Sequence, residues 1–502
     1  MVGICLLLAV ASRFSYGLRP FDADAAIFIH QGMLVEQGLR YWDELIDNKL
    51  PTVGMLTFLP WRFFGNWWWG YVLLQTGMAL IAAMAIGRAA VRAAGPHAWW
   101  PAVLFMLVYG NLNQAVFGGF QLETFHVFFA SLAAPACVQM IAARGRCAGW
   151  ADAMVVGLCA GMAAMAKPTG LSVMGAAGVA LVVSRLGRKG EPMSGRLGSV
   201  IMLGAAMLLG VAIPAAAVWI YLQQTGISAH LPAIIAQIRD YSANSATDVR
   251  DLNKLVWVAA ILGVAWLGRG WVFRRQRLAD GDGAGGSDRS ARMGAWAFAI
   301  AWLVLELVGV VMQKRMYGYH FLVLAPAAGL IYAMLPRQVS ARQMAMTLAP
   351  AMLISLSGVV TVVVVSWNFP KRLPSSEWLI AHAASVDRVW RDQGSRLLIE
   401  TGLLPGSRIP LTFIFINSDD SPQRFWRILH EDFEMRRPRW IVLPADLGAY
   451  HEDTTTMVAE LERLPSRREN YLRAWGELEA YVRSHYEPVA QVGREMIWER
   501  RR

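Results

Sequence analysis

Residues 198–222 read GSVIMLGAAMLLGVAIPAAAVWIYL, without a single Asp, Glu, Lys or Arg. A helix of about 20 such residues crosses the hydrocarbon core of a bilayer. Working outward from this run, long apolar stretches recur at about 2–15, 69–87, 97–112, 124–142, 151–166, 169–184, 253–268, 294–313, 321–335 and 343–366. Together with 198–222 they predict about 11 transmembrane helices. The first stretch is short and carries Arg13 near its end. No small-residue cleavage site follows it, so it reads as a retained helix rather than a signal peptide.

Composition agrees with this pattern. The 502 residues are 56% hydrophobic and 17% charged, against roughly 45–50% and about 25% in soluble domains. Disordered, collagen-like and disulfide-framework classes are excluded. So is a basic nucleic-acid binder, because the net charge of +11 is not spread over a polar chain. Cys5, Cys137 and Cys159 lie in apolar runs and Cys147 in a short basic loop, which gives no disulfide framework and no zinc-ligand spacing.

Position explains the charge. Alternate short loops hold Arg88 and Arg92; Arg144 and Arg146; Arg185, Arg188, Lys189 and Arg196; Arg269, Arg274, Arg275, Arg277, Arg289 and Arg292; and Arg337 and Arg342. Loops rich in Lys and Arg stay in the cytoplasm. These loops carry 16 of the 27 basic residues of 1–366, with only four acids, so the excess is a topology signal. Residues 278–288, LADGDGAGGSD, read as a flexible cytoplasmic linker. The outward segments are then 16–68, 113–123, 167–168, 223–252, 314–320 and everything after 366.

Beyond Trp367 the character changes, with 20 basic and 20 acidic side chains in 367–502 and no spanning run. RIPLTFIF at 408–415 and PRWIVLPA at 438–445 read as buried strands, and helical patterns cover 376–393, 422–436 and 455–482. Residues 486–500 read as a hairpin or final strand. The expected fold is therefore an α-helical polytopic membrane domain, 1–366, with a small extracytoplasmic α/β domain, 367–502. No nucleotide-binding glycine loop follows either strand, and no cofactor is assigned to that domain.

The outward segments hold residues with chemistry to offer. The first reads RPFDADAAIFIHQGMLVEQGLRYWDELIDNKLPTVGML from Arg19. Ile27, Leu34 and Val35 predict an amphipathic helix along the membrane surface, with Asp22 and Asp24 just before it. Capping the helix is the plain role for one of them. Glu123 stands at the mouth of the fourth span, where a charge at mid-bilayer depth costs about 2.5–3.5 kcal/mol; it faces a polar cavity or sits at the interface. Lys167 closes the fifth span before Pro168, either snorkelling to the interface or serving a ligand. The turn QKRMYGYHF, 313–321, packs Lys314, Arg315, Tyr317, Tyr319 and His320 together. Cations on an outer loop run against the topology trend and invite an anionic ligand, while the aromatic belt is the plain reading of the tyrosines. Glu306 lies inside the ninth span without a partner in sequence. It marks a functional site or a structural pair with a neighbouring helix.

A carboxylate base, outer-face cations and access from the membrane are what sugar transfer from a polyprenyl phosphate requires. On these residues the chain resembles the GT-C superfamily of polyprenyl-phosphate-dependent glycosyltransferases. The branch it is most similar to contains protein O-mannosyltransferases and lipid A aminoarabinose transferases. The likeness is carried by Asp22-Ala23-Asp24, by the string Gly38, Tyr41, Asp43, Lys49 and Pro51, and by Tyr317 and His320. Glu123 and the Lys167-Pro168 step also fit. The resemblance implies inverting transfer on the extracytoplasmic face of a bacterial inner membrane. It places the catalytic base on Asp24, with Asp22 close behind, and a phosphate-binding lysine on Lys49. Lys167, Arg315, Tyr317 and His320 are expected near the donor phosphate, and Tyr41, Asp43 and Glu123 in support of the acceptor or the site.

The partners implied are a polyprenyl-phosphate-linked sugar, a lipid, glycan or protein acceptor, and membrane lipids, with no nucleic acid. Some family members hold a divalent metal ion, and Asp22, Asp24 and Glu123 are the residues that would share one here. Two departures bear on it: Ala25 stands where the family commonly has Glu, and Leu50 separates Lys49 from Pro51. The rival reading is a secondary transporter or lipid flippase, which explains the spans and Glu306. It predicts two related halves with broken helices, and no such repeat is seen. A non-catalytic assembly protein is a further alternative.

Overall fold

The apolar runs become helices in the computed structural model. It describes residues 2–18, 21, 23–47, 49–117, 120–143, 148–188, 192–243, 286–313, 318–335, 371–409, 421–445 and 465–502, with 352–353, 356–357, 359–361 and 363–364. In chain order these give α1 (Val2–Ser15), α2 (Ala23–Glu36), α3 (Thr52–Phe64), α4 (Trp68–Ala94), α5 (Trp99–Phe117) and α6 (Leu122–Ala142). There follow α7 (Trp150–Ala166), α8 (Ser172–Leu186), α9 (Met193–Gln224), α10 (Leu231–Ala243), α11 (Gly286–Met312) and α12 (Ala325–Met334). Short 3-10 turns at Pro168–Leu171 and Gly318–Leu324 lead into α8 and α12. Nine of the predicted spans coincide with helices here. The span at 253–268 and most of 343–366 lie outside the described residues.

Two compact units contain these elements. The first comprises Met1–Leu18, Tyr71–Ile220 and Ala246–Trp367. Among the described residues, five helices are long and apolar enough to cross a membrane. Their burial pattern suits lipid: on α9, Leu208, Leu209, Ile213 and Trp219 are more than half exposed while Leu203, Ala206 and Met207 are buried. Outward-facing side chains of this size would be costly in water and cost nothing against lipid tails. The chain is a multi-pass membrane protein. With no hydrophobic drive between helices in lipid, close packing holds them together. A Cβ on Gly157 of α7 would stand 1.9 Å from the Met207 carbonyl of α9, and one on Gly210 2.3 Å from the Met154 carbonyl. Only glycine fits there.

The second unit comprises Arg19–Gly70, Tyr221–Ser245 and Asn368–Arg502. Its first helix, α2, corrects the amphipathic expectation. Ala25, Ile29, Met33 and Leu34 are buried, but so are His30 and Gln31 on the other faces. These polar residues find protein partners, so the helix is enclosed all round. Helix α3, unassigned from the sequence, packs so closely on α2 that a Cβ on Gly32 would meet the Thr57 carbonyl at 2.5 Å.

C-terminal residues add α13 (Pro374–His382), β1 (Arg388–Arg391), α14 (Ser395–Thr401), β2 (Leu404–Pro405), α15 (Ser421–Arg436), β3 (Trp440–Pro444), α16 (Pro465–His485), β4 (Tyr486–Val492) and β5 (Glu495–Arg500). The sheet order is β2-β1-β3-β5-β4. Strand β1 runs parallel to β2 and β3, with Trp390 opposite Ile441, and β5 is antiparallel to both β3 and β4. Trp440, Ile441, Val442 and Leu443 are all buried, as expected for a central strand covered on both faces. Gly493 takes the positive φ, 62°, of the two-residue hairpin turn. Met33 joins Leu379, Val389, Leu397, Trp440 and Ile497 in one apolar core.

The expected helix over 376–393 is shorter. It stops at His382, Ala383 turns extended, and the Asp387 carboxylate accepts the Ala384 N–H at 3.0 Å. Val389 and Trp390 then enter the sheet. Of the expected strand at 408–415, residues from 410 on lie outside the described set, as do 455–464 of the last helical pattern.

Candidate active site

Asp22, Arg315 and Tyr317 lie outside the described residues. The remaining candidates divide between the units, and each group has its own geometry.

In the first unit, Glu123 occupies the first turn of α6 and is buried, at the helix end where the dipole favours negative charge. Lys167 is the last residue before Pro168, held extended at φ −148°, ψ 136°, as a residue preceding proline prefers. That conformation ends α7 and frees the lysine side chain. Its ammonium forms an ion pair with Glu123 Oε1 and donates to Gln313 Oε1 at 3.0 Å. His320, in the 3-10 turn before α12, brings Nε2 to 3.7 Å from the same Glu123 oxygen. Three predicted residues thus converge, and Gln313 is an addition that the sequence reading lacked.

Glu306 of α11 has its own partners in this unit. His126 Nε2 lies 2.8 Å from Oε1, Trp302 Nε1 donates to that oxygen at 3.1 Å, and the Ser172 hydroxyl donates to it as well. These contacts join Glu306 to neighbouring helices through Oε1, while Oε2 is buried without a hydrogen-bond partner among the described residues.

In the second unit, Asp24 lies in the first turn of α2 and is half-buried. A carboxylate there is favoured by the helix dipole. The segment that follows α2 is pinned from inside. Tyr41, fully buried, donates its hydroxyl to the Lys49 carbonyl at 2.8 Å, and Gln31 donates to the Asp47 carboxylate at 3.0 Å. Burial and the nearby Asp47 push the Tyr41 hydroxyl well above its usual range, so it remains a donor. Its role is to hold the loop on which Lys49 sits. Asp43 is partly exposed, 3.4 Å from His230 Nε2 and 4.0 Å from Arg40; ion pairs this exposed contribute little.

Two further features of this unit were not foreseen. His30 Nδ1 lies 3.3 Å from the Ser395 hydroxyl of α14, while Nε2 has no hydrogen-bond partner among the described residues. Burial lowers its pKa to about 3, which keeps the ring neutral. Glu44, beside Asp43, is gripped by Arg388 of β1 at 3.3 Å and by Arg436 of α15. A half-buried acid in a loop is the only sequence signal for such a pair, and the arginines are too far along the chain to be named.

Of the residues expected to share a divalent ion, Asp22 lies outside the described residues, and among the described ones no group of three or more His, Cys, Asp or Glu that could hold a metal occurs.

No protein-family model matches the sequence, and no curated protein matches it. Solved structures do. The oligosaccharyltransferase of Archaeoglobus fulgidus, tethered to an acceptor peptide containing the NVT sequon, aligns with TM-score 0.51 and 9% identity over 100% of this chain and 74% of its own. ArnT from Cupriavidus metallidurans, bound to undecaprenyl phosphate, aligns with TM-score 0.51 and 14% identity over 99% of this chain and 97% of its own. At these identities the likeness establishes the fold alone: the chain shares the fold of these two proteins over nearly all of its aligned length.

Proposed function

We propose that this protein is a membrane glycosyltransferase that moves a sugar from a polyprenyl-phosphate donor to an acceptor on the extracytoplasmic face, with inversion. The observation that carries this reading is the convergence of Lys167 and His320 on buried Glu123 in a chain that shares the fold of that oligosaccharyltransferase and of ArnT. Those residues were singled out because cations at outer span ends need an anion to explain them. The neighbour with nearly the same length was solved with undecaprenyl phosphate bound, which supports a lipid-phosphate donor here.

In the proposed reaction the acceptor hydroxyl oxygen bonds to the anomeric carbon from the face opposite the phosphate. The bond from that carbon to the phosphate oxygen breaks, and its electron pair leaves with the polyprenyl phosphate. The hydroxyl proton passes to the Asp24 carboxylate as general base. The phosphodiester begins with one negative charge and ends with two. A cation fixed beside that oxygen therefore stabilises the transition state more than the ground state. Lys49 is assigned that task, and Tyr41 holds its backbone in place. In the helical unit, Lys167, positioned by its pair with Glu123, and His320 are assigned to the donor phosphate. Asp43 supports the acceptor side.

The alternative, a secondary transporter or lipid flippase, drew on Glu306, whose Oε1 has His126, Trp302 and Ser172 as partners. The direct test is Asp24→Asn in purified protein supplied with polyprenyl-phosphate-linked sugars. Folding and undecaprenyl-phosphate binding are retained and transfer is lost. Wild-type turnover in this variant would sink the base assignment.

A further inference from the structure

Several contacts tie the segment that carries Lys49 to the C-terminal residues. The Arg436 guanidinium donates both to the Glu44 carboxylate and to the Asp43 carbonyl. Arg388 reaches the same Glu44 oxygen at 3.3 Å while donating to the Pro405 carbonyl at 2.7 Å, so its own position is fixed by β2. The Ile46 N–H donates to the Arg408 carbonyl at 2.6 Å. Behind these groups stands Asp432, fully buried, which accepts from Arg408 Nε at 2.9 Å, the Arg408 N–H at 2.7 Å and the Ser407 hydroxyl at 2.8 Å.

We infer that Glu44 is a positioning residue, clamped by Arg388 and Arg436, and that the C-terminal sheet is the scaffold setting the 37–50 segment for Lys49. This deepens the proposed function and rests on it for the role of Lys49. The arrangement suits the task. A guanidinium presents its donors in a rigid fork that fixes direction as well as distance. One arginine that grips both a side chain and the adjoining carbonyl locks the backbone between them. Arg436 also lies 3.7 Å from the Asp432 carboxylate, so it links the Glu44 pair to the Arg408 pair behind it. A sheet kept only to bind an acceptor would need no such grip on a loop made more than 340 residues earlier.

The test uses the full chain in nanodiscs and two readouts, amide hydrogen exchange of 37–50 and affinity for undecaprenyl phosphate as the probe. Glu44→Gln and Arg436→Gln should each speed exchange across 37–50 by about tenfold, the value of a charge-assisted hydrogen bond, with α7 and α11 unchanged. Both should weaken undecaprenyl-phosphate binding several-fold. Glu44→Asp, which keeps the charge, should recover most of both. Arg483→Ala, which removes an exposed pair on α16 and a guanidinium contact with the Trp498 ring but nothing at Glu44, should change neither. Unchanged exchange in Glu44→Gln and Arg436→Gln would overturn the clamp. So would faster exchange with no loss of affinity where Lys49→Ala does lose it. Should Lys49→Ala bind the probe as wild type does, the assignment of Lys49 to phosphate fails, and the exchange readout still decides the clamp by itself.

Discussion

Removing the ammonium of Lys167 isolates a buried carboxylate. The Lys167 side chain is 15% exposed and that of Glu123 2%, so bulk water cannot replace the lost partner. Breaking a buried pair by deleting one member costs about 3–5 kcal/mol, and replacing both members with apolar residues of similar volume is often close to neutral. Lys167→Met also gives up the bond to Gln313, worth about 1 kcal/mol. The expectation is that Lys167→Met loses about 3–5 kcal/mol while Glu123→Leu with Lys167→Met stays within about 1–2 kcal/mol of wild type. The coupling between the sites is then at least about 2 kcal/mol. Unfolding free energies from steric trapping in bicelles, for wild type, both single variants and the double variant, give this number directly. A single variant as stable as wild type, or a double variant no better than the worse single, would refute the buried-pair reasoning. Undecaprenyl-phosphate binding should fall in both lysine variants alike, because the cation is absent from each.

Other expectations follow from the same geometry. Gly157→Leu drives a side chain into the Met207 carbonyl and should abolish monodisperse protein on size exclusion, while Gly178→Ala, with open space around it, should not. Tyr41→Phe removes the bond to the Lys49 carbonyl and should cost about 1 kcal/mol, read as faster exchange at 47–50 with the helices unaffected. His30 has a folded pKa near 3 against 6.5 unfolded, so above pH 6.5 both states are neutral and stability is level. Below 6.5 the unfolded chain takes up the proton first, and stability falls by up to about 1.4 kcal/mol per pH unit until pH 3. Thermal midpoints between pH 7.5 and 5 should decline in wild type and stay flatter in His30→Gln; equal slopes would contradict the buried neutral ring.

The spans were legible because a bilayer demands one simple thing of a sequence, an uninterrupted apolar run, and residues 198–222 supply it without any tertiary knowledge. Helix α2 was legible in place but not in environment. Its apolar spacing looked one-sided because the partners of its polar residues, Asp47 for Gln31 and Ser395 for His30, are supplied by other elements. Strand β1 was read as the end of a helix because four residues, RVWR, declare themselves only by pairing on both sides. At the site, Glu123, Lys167 and His320 were recognisable singly as charge in unexpected places. What joins them is a meeting of three elements from distant parts of the chain, which no local spacing encodes. Glu306 shows the same limit in reverse, since an apparently lone acid turned out to have three donors.

The span of sequence closed by the Glu44 clamp also sets a clock. Arg436 follows Glu44 by 392 residues, and ribosomes add about 5–20 residues per second. Between the emergence of one partner and the other, about 20–80 s pass. Through that interval the segment carrying Glu44 is already made while the elements that grip it are not. Strand β5, which sits between β3 and β4, is made later still. A newly made chain therefore has its first helices before it has this loop in order, and the acidic segment is open to proteases and chaperones until the last strand pairs.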